Sequence, residues 1–380
     1  MNQYLLYKLP INDIQDILDP TFTRNINDIH TVINESLKHY LNNIKNNIEQ
    51  YSNKWDKIKK YTYAYEFINS TCKTYNIKHP ICKINPISRA FFKMIEICNT
   101  FKILDNMPFN NFKSYHLAEA PGGFVEALSY LRKNKNDTYY GMTLLNNNES
   151  TIPKWKNSKY ILNNFKIEYG YTNNGDIMSN ENLLYIYNLH KNSCNIVTGD
   201  GGFDFTNNYS NQEINISKLI ICQIACAISC QAKGGCFILK IFDIFTEITL
   251  DLVYLLCNVY DEVYIYKPCT SRIANSEKYL ICKNFRLDDC KYLHLFFYNL
   301  LNNINNRYIK RLFNFNLPLH FLNKIEYINS INGKKQIENI IYTINLIKNH
   351  NNKNIELKKN IYKCINWCKI NNLPYNISTN

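Results

Sequence analysis

The sequence predicts an α/β fold with a seven-stranded, mostly parallel sheet, because seven short apolar runs alternate with helical patterns between residues 85 and 285. Strands are expected at 114–118, 138–143, 165–170, 195–199, 235–242, 262–267 and 278–283. Helices are expected at 88–104, 124–132, 181–190, 213–231 and 248–259. Only a loop joins the last two strands, and it is too short for a helical crossover. The last strand is therefore expected to run antiparallel.

The two ends of the chain differ in residue composition from this central part. Residues 1–60 and 301–380 are rich in Asn, Lys and Ile, and we expect them to form helical extensions of a central domain over 61–300. Apolar stripes at helical spacing occur at 340–347 and 361–368. We expect these stripes to pack on the neighbouring domain, with binding of a partner protein as the alternative.

The composition excludes global disorder and favours an anionic partner. Hydrophobic residues make up 46% of the 380-residue chain, enough for a packed core. Lys and Arg number 44 against 31 Asp and Glu, for a formal net charge of +13. Such an excess suits RNA, DNA or a membrane surface, with the average of a Lys-rich proteome as the alternative explanation. Charge alone does not decide between these interpretations.

The cysteines indicate a reducing environment rather than disulfides or a metal site. None of the 14 cysteines forms a C-x-x-C pair, and Cys222, Cys226 and Cys230 share one predicted helical face, as buried thiols do. The first residues lack the apolar core of a secretory signal, and the longest nearly apolar run, 219–232, is too short to span a bilayer. We therefore expect a soluble protein of a reduced compartment that binds no metal and no membrane.

Three ionisable residues lie where buried strands meet turn-forming residues. Asp200 follows the strand at 195–199, Lys240 lies in the strand at 235–242, and Glu277 precedes the last strand. In an open α/β sheet, ligands bind at this edge. Ionisable groups that separate strands deliver to one edge indicate a reaction site.

A second motif, H-L-A-E-A-P-G-G-F-V-E-A-L, spans residues 116–128 and reads as a strand, an acid, a Pro-Gly-Gly turn and a helix start. Glycines in such a turn let the backbone approach a ligand, and the helix N-terminus offers free N–H groups. The motif is neither G-x-G-x-x-G nor a P-loop. A plain strand-to-helix turn is the alternative.

Seven patches, in this order along the chain, resemble the FtsJ-like ribose 2′-O-methyltransferases, a family of Rossmann-like, S-adenosylmethionine-dependent enzymes. They are S-R-A-F-F-K (88–93), A-E-A-P-G-G-F (118–124), G-M-T-L (141–144), N-G-D-I (174–177), G-D-G-G-F-D (199–204), L-K-I-F-D (239–243) and K-P-C-T-S-R-I-A-N-S-E-K-Y (267–279). The likeness is greatest to the cap-specific mRNA 2′-O-methyltransferases of animals and large DNA viruses. It covers residues 85–285.

The resemblance implies a catalytic tetrad of Lys93, Asp200, Lys240 and Glu277. It also implies transfer of a methyl group from S-adenosylmethionine to the ribose 2′-OH of the first transcribed nucleotide of capped mRNA, which forms cap 1. Lys240 would accept or orient the hydroxyl proton, and the two acids would fix the ammonium geometry. No metal is expected to take part.

For the cofactor, the resemblance implies contacts from the turn and from two acids: Glu119, Ala120, Pro121, Gly122, Gly123, Phe124, Asp176 and Asp200. Asp176 is our choice for the adenine amino group, with an ordinary loop acid as the alternative. Many related enzymes hold the ribose with an acid that ends the second strand. Here that position reads G-M-T-L, so the ribose contact is unassigned.

For the RNA, the resemblance places Arg89, Lys267, Arg272, Asn275 and Ser276 beside the tetrad. Lys267 and Arg272 are expected to contact phosphate, including that of the cap triphosphate. Gln212 and Glu213 are candidates for the capped guanine, with a helix-start role as the alternative for Glu213. Aromatic stacking on the cap is expected, but 30 Tyr and 20 Phe leave the ring unassigned.

Two alternative functions stay open at this point. One is the same reaction on uncapped ribosomal or transfer RNA, and the other is a non-catalytic RNA-binding subunit of a capping complex. Capping or transcription proteins are candidate partners of the terminal helices. The AT-rich coding bias favours a large cytoplasmic DNA virus, which predicts an enzyme of the cytoplasm, viral factory or virion. A cellular source predicts the nucleus.

Overall fold

The computed structural model describes residues 3–9, 14–71, 77–145, 152–161, 164–202, 212–304, 307–349 and 353–376. The strands are β1 Gln3–Leu5, β2 Leu18–Thr23, β3 Lys113–Leu117, β4 Thr138–Met142, β5 Phe165–Ile167, β6 Cys194–Gly199, β7 Gln231–Ile241, β8 Tyr260–Tyr266, β9 Lys278–Phe285 and β10 Tyr308–Phe313. The helices are α1 Ile14–Ile17, α2 Glu35–Asn46, α3 Ser52–Thr62, α4 Ala90–Phe101, α5 Gly123–Arg132, α6 Asn180–His190, α7 Gln212–Cys230, α8 Glu247–Val259, α9 Lys291–Asn303, α10 Leu319–Asn349 and α11 Lys353–Ile370.

The main sheet has the strand order β1-β8-β9-β7-β6-β3-β4-β5. Strands β5, β4, β3, β6 and β7 are parallel, and β9 runs antiparallel to both β7 and β8. The predicted α/β class and the antiparallel last strand are thus confirmed. The chain builds outward from β3 in one direction and from β6 in the other. The boundary between β3 and β6 is therefore the switch point, where such sheets bind ligands.

The ends of the chain are not purely helical, contrary to the prediction. β1 pairs antiparallel with β8 and adds an eighth strand, and β2 pairs with β10 in a separate two-stranded sheet. Leu6 and Leu9 follow β1 and are buried in the main core. A strand of three residues is too short to show a period of two, so the sequence pattern could not reveal β1.

Helix α7 fills the core on one face of the sheet. Cys222, Cys226 and Cys230 are fully buried on it, as predicted for apolar packing of thiols. The described cysteines are all unpaired thiols. Among the described residues α7 is also the one helix whose length and composition would suffice to cross a membrane, and 89% of its most apolar window is buried inside the protein.

The C-terminal helices cover their apolar stripes on the rest of the chain. Ile340 and Ile347 on α10 are buried, and so are Cys364, Trp367 and Cys368 on α11. Helix α11 packs against residues 66–68, and the side chain of its Asn360 donates to the carbonyl of Tyr61. The expected packing of both stripes is confirmed.

Candidate active site

The structure brings the four predicted catalytic residues together as two lysine–carboxylate pairs. Lys93, on α4, places its Nζ 2.7 Å from Oε1 of Glu277, just before β9. Lys240, near the end of β7, places its Nζ 3.3 Å from Oδ1 of Asp200 and donates to the Asp200 carbonyl at 2.5 Å. All four side chains are 12–15% exposed, so the charges are sheltered but reachable.

Tyr279 joins the two pairs, although no role was predicted for it. Its hydroxyl donates to Oδ1 of Asp200 at 2.9 Å and accepts from Nζ of Lys93 at 3.4 Å. The ring lies in β9, fully buried, with Lys93 5.8 Å from its centroid. Although Tyr279 ends the last of the seven sequence patches, only the fold shows that its hydroxyl points into the tetrad.

The electrostatics keep the Lys93–Glu277 pair charged. Burial would raise the pKa of Glu277, but Lys93, Lys240 and Lys267 outweigh it and lower the pKa to about 2. Burial would likewise lower the pKa of Lys93, but the carboxylates of Glu277 and Asp200 outweigh it and raise that pKa. A charged pair next to Lys240 therefore sets the field in which a substrate hydroxyl would lie.

Buried polar side chains hold the two loops that carry the acids. Oε1 of Gln223, on α7, accepts from the backbone N–H of Gly201 at 3.1 Å and so fixes the turn after Asp200. On α4, one turn after Lys93, the carboxylate of Glu96 accepts from the backbone N–H groups of Cys269 and Thr270. Neither Gln223 nor Glu96 was predicted to serve the site. Each bonds to a segment that is distant along the chain, so no local pattern marks it.

The turn between β3 and α5 has the conformation that its sequence predicts. Gly122 has a φ of +111°, which favours glycine, and it precedes the first turn of α5, whose N–H groups have no partner within the helix. A Cβ on Gly123 would lie 2.9 Å from the backbone N of Phe91. Gly123 is thus required by the close approach of α5 to α4. Phe124 is buried, with its ring beside Tyr279, so only its backbone can face a ligand.

The two remaining acids of the cofactor prediction occupy different environments. Glu119 is buried, accepts from Thr198 at 2.7 Å and lies 2.6 Å from Nδ1 of His116. Burial raises its pKa. Asp176 is half-buried and accepts from the backbone N of Met178, and the preceding Gly175 lies against the carbonyl of Thr143, just past β4. Asp176 therefore lies at the sheet edge that carries the turn, whereas Glu119 braces the turn from beneath.

The comparisons with known proteins agree with this geometry. The FtsJ-like methyltransferase family model matches residues 86–285, more than half of the chain. The chain belongs to the FtsJ-like methyltransferase family. The matched residues hold the whole tetrad and the turn, whereas α2, α3, α10 and α11 lie outside them.

The curated relatives of this FtsJ-like methyltransferase carry a more specific name. The cap-specific mRNA (nucleoside-2'-O-)-methyltransferase 2 of Pongo abelii is 30% identical over 74% of this chain and 37% of its own length. The corresponding methyltransferase 1 of Homo sapiens is 35% identical over 49% of this chain and 23% of its own length. An inactive methyltransferase 1B of Caenorhabditis briggsae is 32% identical over 44% and 20%. The chain spans well under half the length of these relatives.

The predicted RNA contacts of this FtsJ-like methyltransferase divide into three groups. Arg89 and Arg272 lie together, both bonded to Glu66. The side chains of Gln212 and Ser276 meet at 3.2 Å, and Asn275 beside them is exposed. The third group consists of Lys267 and Glu213, which face inward.

Both inward-facing residues have structural partners where an RNA contact was expected. Lys267 is buried and donates to the carbonyls of Asn275 and Glu277 and to Oδ1 of Asn275, at 2.6–2.8 Å. It therefore braces the loop that carries Arg272, and burial holds its pKa well below the usual range. Oε1 of Glu213 accepts from the backbone N–H groups of Phe245 and Thr246 at 2.8 Å, so this side chain caps the start of α8.

Proposed function

We propose that the chain transfers a methyl group from S-adenosylmethionine to the ribose 2′-OH of the first transcribed nucleotide of capped mRNA. The observation that carries the proposal is the pairing of Lys93 with Glu277 and of Asp200 with Lys240 around the hydroxyl of Tyr279. A ribose hydroxyl is a weak acid. Two sheltered ion pairs at the ligand-binding edge of the sheet suit its activation better than they suit mere stability.

Lys240 is the residue that would handle the proton. In its neutral form, Nζ can take the proton of the 2′-OH while the ribose oxygen attacks the methyl group that is to be transferred. The Asp200 carboxylate, 3.3 Å from Nζ, stabilises the ammonium that results. The bond from Lys240 to the Asp200 carbonyl limits where Nζ can point. Lys93 and Glu277 lie on the other side of Tyr279. Their opposite charges cancel, so together they would act as a fixed dipole and not as a second base.

The residues around the turn fit S-adenosylmethionine, which when bound supplies an electrophilic methyl group. The free N–H groups at the start of α5 suit a carboxylate, and the acids Asp200 and Asp176 suit amino groups. Trp155 lies against the position that a Cβ of Gly122 would occupy. Among the described residues its buried indole N–H has no hydrogen-bond partner, as expected where a bound ligand supplies the acceptor. Ala120 and Pro121 lie beside the segment that holds Trp155, since the backbone N–H of Lys156 donates to the Pro121 carbonyl at 3.1 Å.

The capped substrate is supported by the relatives' names and by the polar groups beside the tetrad. Arg89 and Arg272 offer guanidinium groups for phosphate, and the exposed Asn275 and half-buried Gln212 offer polar groups near Glu277, whereas Ser276 is buried and its hydroxyl donates to Gln212. The relatives' names give the modified atom, the nucleoside 2′-O, but not which nucleotide carries it, so the experiment must locate the modified nucleotide along the RNA.

The test is methyl transfer to a capped RNA and to the same RNA with a 5′-hydroxyl, followed by mass spectrometry of nuclease fragments. We expect methylation of the first ribose in the capped RNA alone. Equal rates on both RNAs would replace this proposal with the uncapped-RNA alternative. Methylation at the second nucleotide would leave the chemistry intact and change the assigned position.

The Lys240→Ala variant tests the chemistry, and we expect it to lower kcat by about 10²–10⁴-fold with RNA binding unchanged. Lys233→Ala is the matched control, because Lys233 lies in the same strand and is 61% exposed in an ion pair with Asp288. Full activity in Lys240→Ala would overturn the proposed role. Absence of activity from the wild type would instead favour the RNA-binding alternative, a possibility that the inactive relative makes concrete.

A further inference from the structure

Two arginines beside the tetrad share one buried carboxylate. Nη1 of Arg89 lies 2.8 Å and Nη2 of Arg272 lies 3.4 Å from the same oxygen, Oε2 of Glu66. Glu66 is 3% exposed, and Ser70 donates to its other oxygen at 3.0 Å. Burial would raise the pKa of Glu66, but the two guanidinium groups outweigh it and keep the pKa low, so the carboxylate is charged.

Glu66 compensates one of the two guanidinium charges. Asp56 also interacts with Arg272, but it is 79% exposed and already paired with a lysine, so the cluster keeps a net positive charge. Both arginines are about one-third exposed, and the Arg89 guanidinium lies 5.1 Å from the centroid of the Tyr63 ring. Among the described residues the buried Nε of Arg272 has no hydrogen-bond partner. A sheltered guanidinium with an unused donor and an uncompensated charge is expected to receive an anion.

The position of the cluster identifies which anion could reach it. Arg89 precedes Lys93 by four residues at the start of α4, so both side chains lie on one face of that helix. Arg272 lies in the loop that ends at Glu277. The two guanidinium groups therefore lie beside the Lys93–Glu277 pair, and the Arg89 charge acts on Lys93.

We propose that Glu66 is a positioning residue that aligns Arg89 and Arg272 as a two-guanidinium clamp for a phosphate group of the RNA. This inference rests on the proposed function, and it adds a residue from outside the 86–285 family match to the substrate site. Planar guanidinium forks match phosphate oxygens in geometry as well as charge. The phosphate belongs either to the triphosphate bridge of a capped end or to the RNA backbone.

Binding of fluorescent RNA without cofactor tests the clamp separately from catalysis. The two RNAs are a capped oligonucleotide and the same sequence with a 5′-hydroxyl, each titrated over a range of salt concentrations. For Arg272→Ala we expect affinity to fall about tenfold and the slope of log K against log salt to decrease by about 0.7. Arg24→Ala, at an exposed site after β2, removes the same charge and should leave both quantities unchanged.

Comparing the loss of affinity on the two RNAs shows which phosphate the clamp binds. A loss confined to the capped RNA indicates the triphosphate bridge, and an equal loss on both indicates the backbone. An Arg272→Ala protein with wild-type affinity and salt slope overturns the clamp. Because no methyl transfer is measured, this result stands whether or not the proposed reaction is correct.

Glu66→Gln distinguishes a positioning role from a simple charge effect, because the two predict opposite changes in RNA affinity. The substitution makes the protein more positive by one charge, so electrostatics alone predicts tighter RNA binding. Loss of the shared anchor predicts weaker binding of about five- to tenfold, a raised KM for RNA and a kcat within about twofold of wild type. Binding that is unchanged or tighter in a folded Glu66→Gln protein refutes the positioning role. If that variant does not fold, Arg272→Ala decides the clamp.

Discussion

The hydroxyl of Tyr279 contacts both lysine–carboxylate pairs, and Tyr279→Phe removes that hydroxyl alone. The ring is fully buried, and phenylalanine fills the same space without a new contact. Two hydrogen bonds are lost, the donation to Asp200 at 2.9 Å and the longer one from Lys93 at 3.4 Å. Of the partners described for the Asp200 carboxylate, Lys240 alone then remains to orient it.

The size of the effect follows from the charge of the acceptor. A hydrogen bond to a charged group contributes about 1.5–3 kcal/mol. If that energy holds the geometry needed for reaction, its loss lowers kcat by about tenfold to a hundredfold. The KM for RNA and the affinity for S-adenosylmethionine should change little, because Tyr279 is buried behind the charged groups. Single-turnover methyl transfer at saturating substrates measures this step.

Tyr115→Phe is the matched control for Tyr279→Phe. Tyr115 is equally buried and its hydroxyl donates to the Glu168 carboxylate at 2.6 Å, but it lies in β3, away from the tetrad. Both variants should lose similar free energy of unfolding, and only Tyr279→Phe should lose kcat. The role assigned to Tyr279 is refuted if both variants lose activity equally, or if Tyr279→Phe turns over at the wild-type rate.

Three further predictions concern the framework of the site. Trp367→Phe removes an indole donation to the Glu96 carboxylate at 3.0 Å and should lower the free energy of unfolding by about 1.5–3 kcal/mol, measured by urea denaturation. Gly123→Ala drives a Cβ against Ser88 and should cost about 1–3 kcal/mol in the same assay; wild-type stability would contradict the packing argument. The lowered pKa of Glu277 means that the pair with Lys93 stabilises the fold fully above pH 4.5 and loses this contribution as pH falls toward 2. Unfolding measured from pH 5 to 2 should therefore show a smaller pH dependence in Glu277→Gln than in the wild type.

Much of this arrangement was predictable from the sequence, because the central domain obeys local rules. The strand expected at 195–199 is observed at Cys194–Gly199, so Asp200 lies at the sheet edge where the pattern placed it. Lys240 and Glu277 follow for the same reason, since strand ends carry these polar residues to one edge. Local periodicity and turn chemistry determine such placements without knowledge of the remaining chain.

The residues that sequence reasoning missed depend on contacts between distant segments. Tyr279 is one of 30 tyrosines, and its partner Asp200 lies 79 residues away. Glu66 lies upstream of every motif. Glu213 was a candidate for the capped guanine, with a helix-start role as the alternative, and its carboxylate caps α8. In each case the side chain's partner is brought in by the packing of another element. No pattern within the segment itself records that partner.

The segments outside the family match support the site physically, through two buried carboxylates. Glu66 accepts hydrogen bonds from the two arginines, and residues 66–68 pack against α11. Glu96 binds the loop at Cys269 and Thr270 and also accepts from Trp367 of α11. A shift of α11 would therefore reach the Arg272–Glu277 loop through Glu96 and the arginine pair through residues 66–68. Because buried charged groups tolerate little loss of their partners, the terminal helix is expected to be part of the structure that holds the catalytic residues in place.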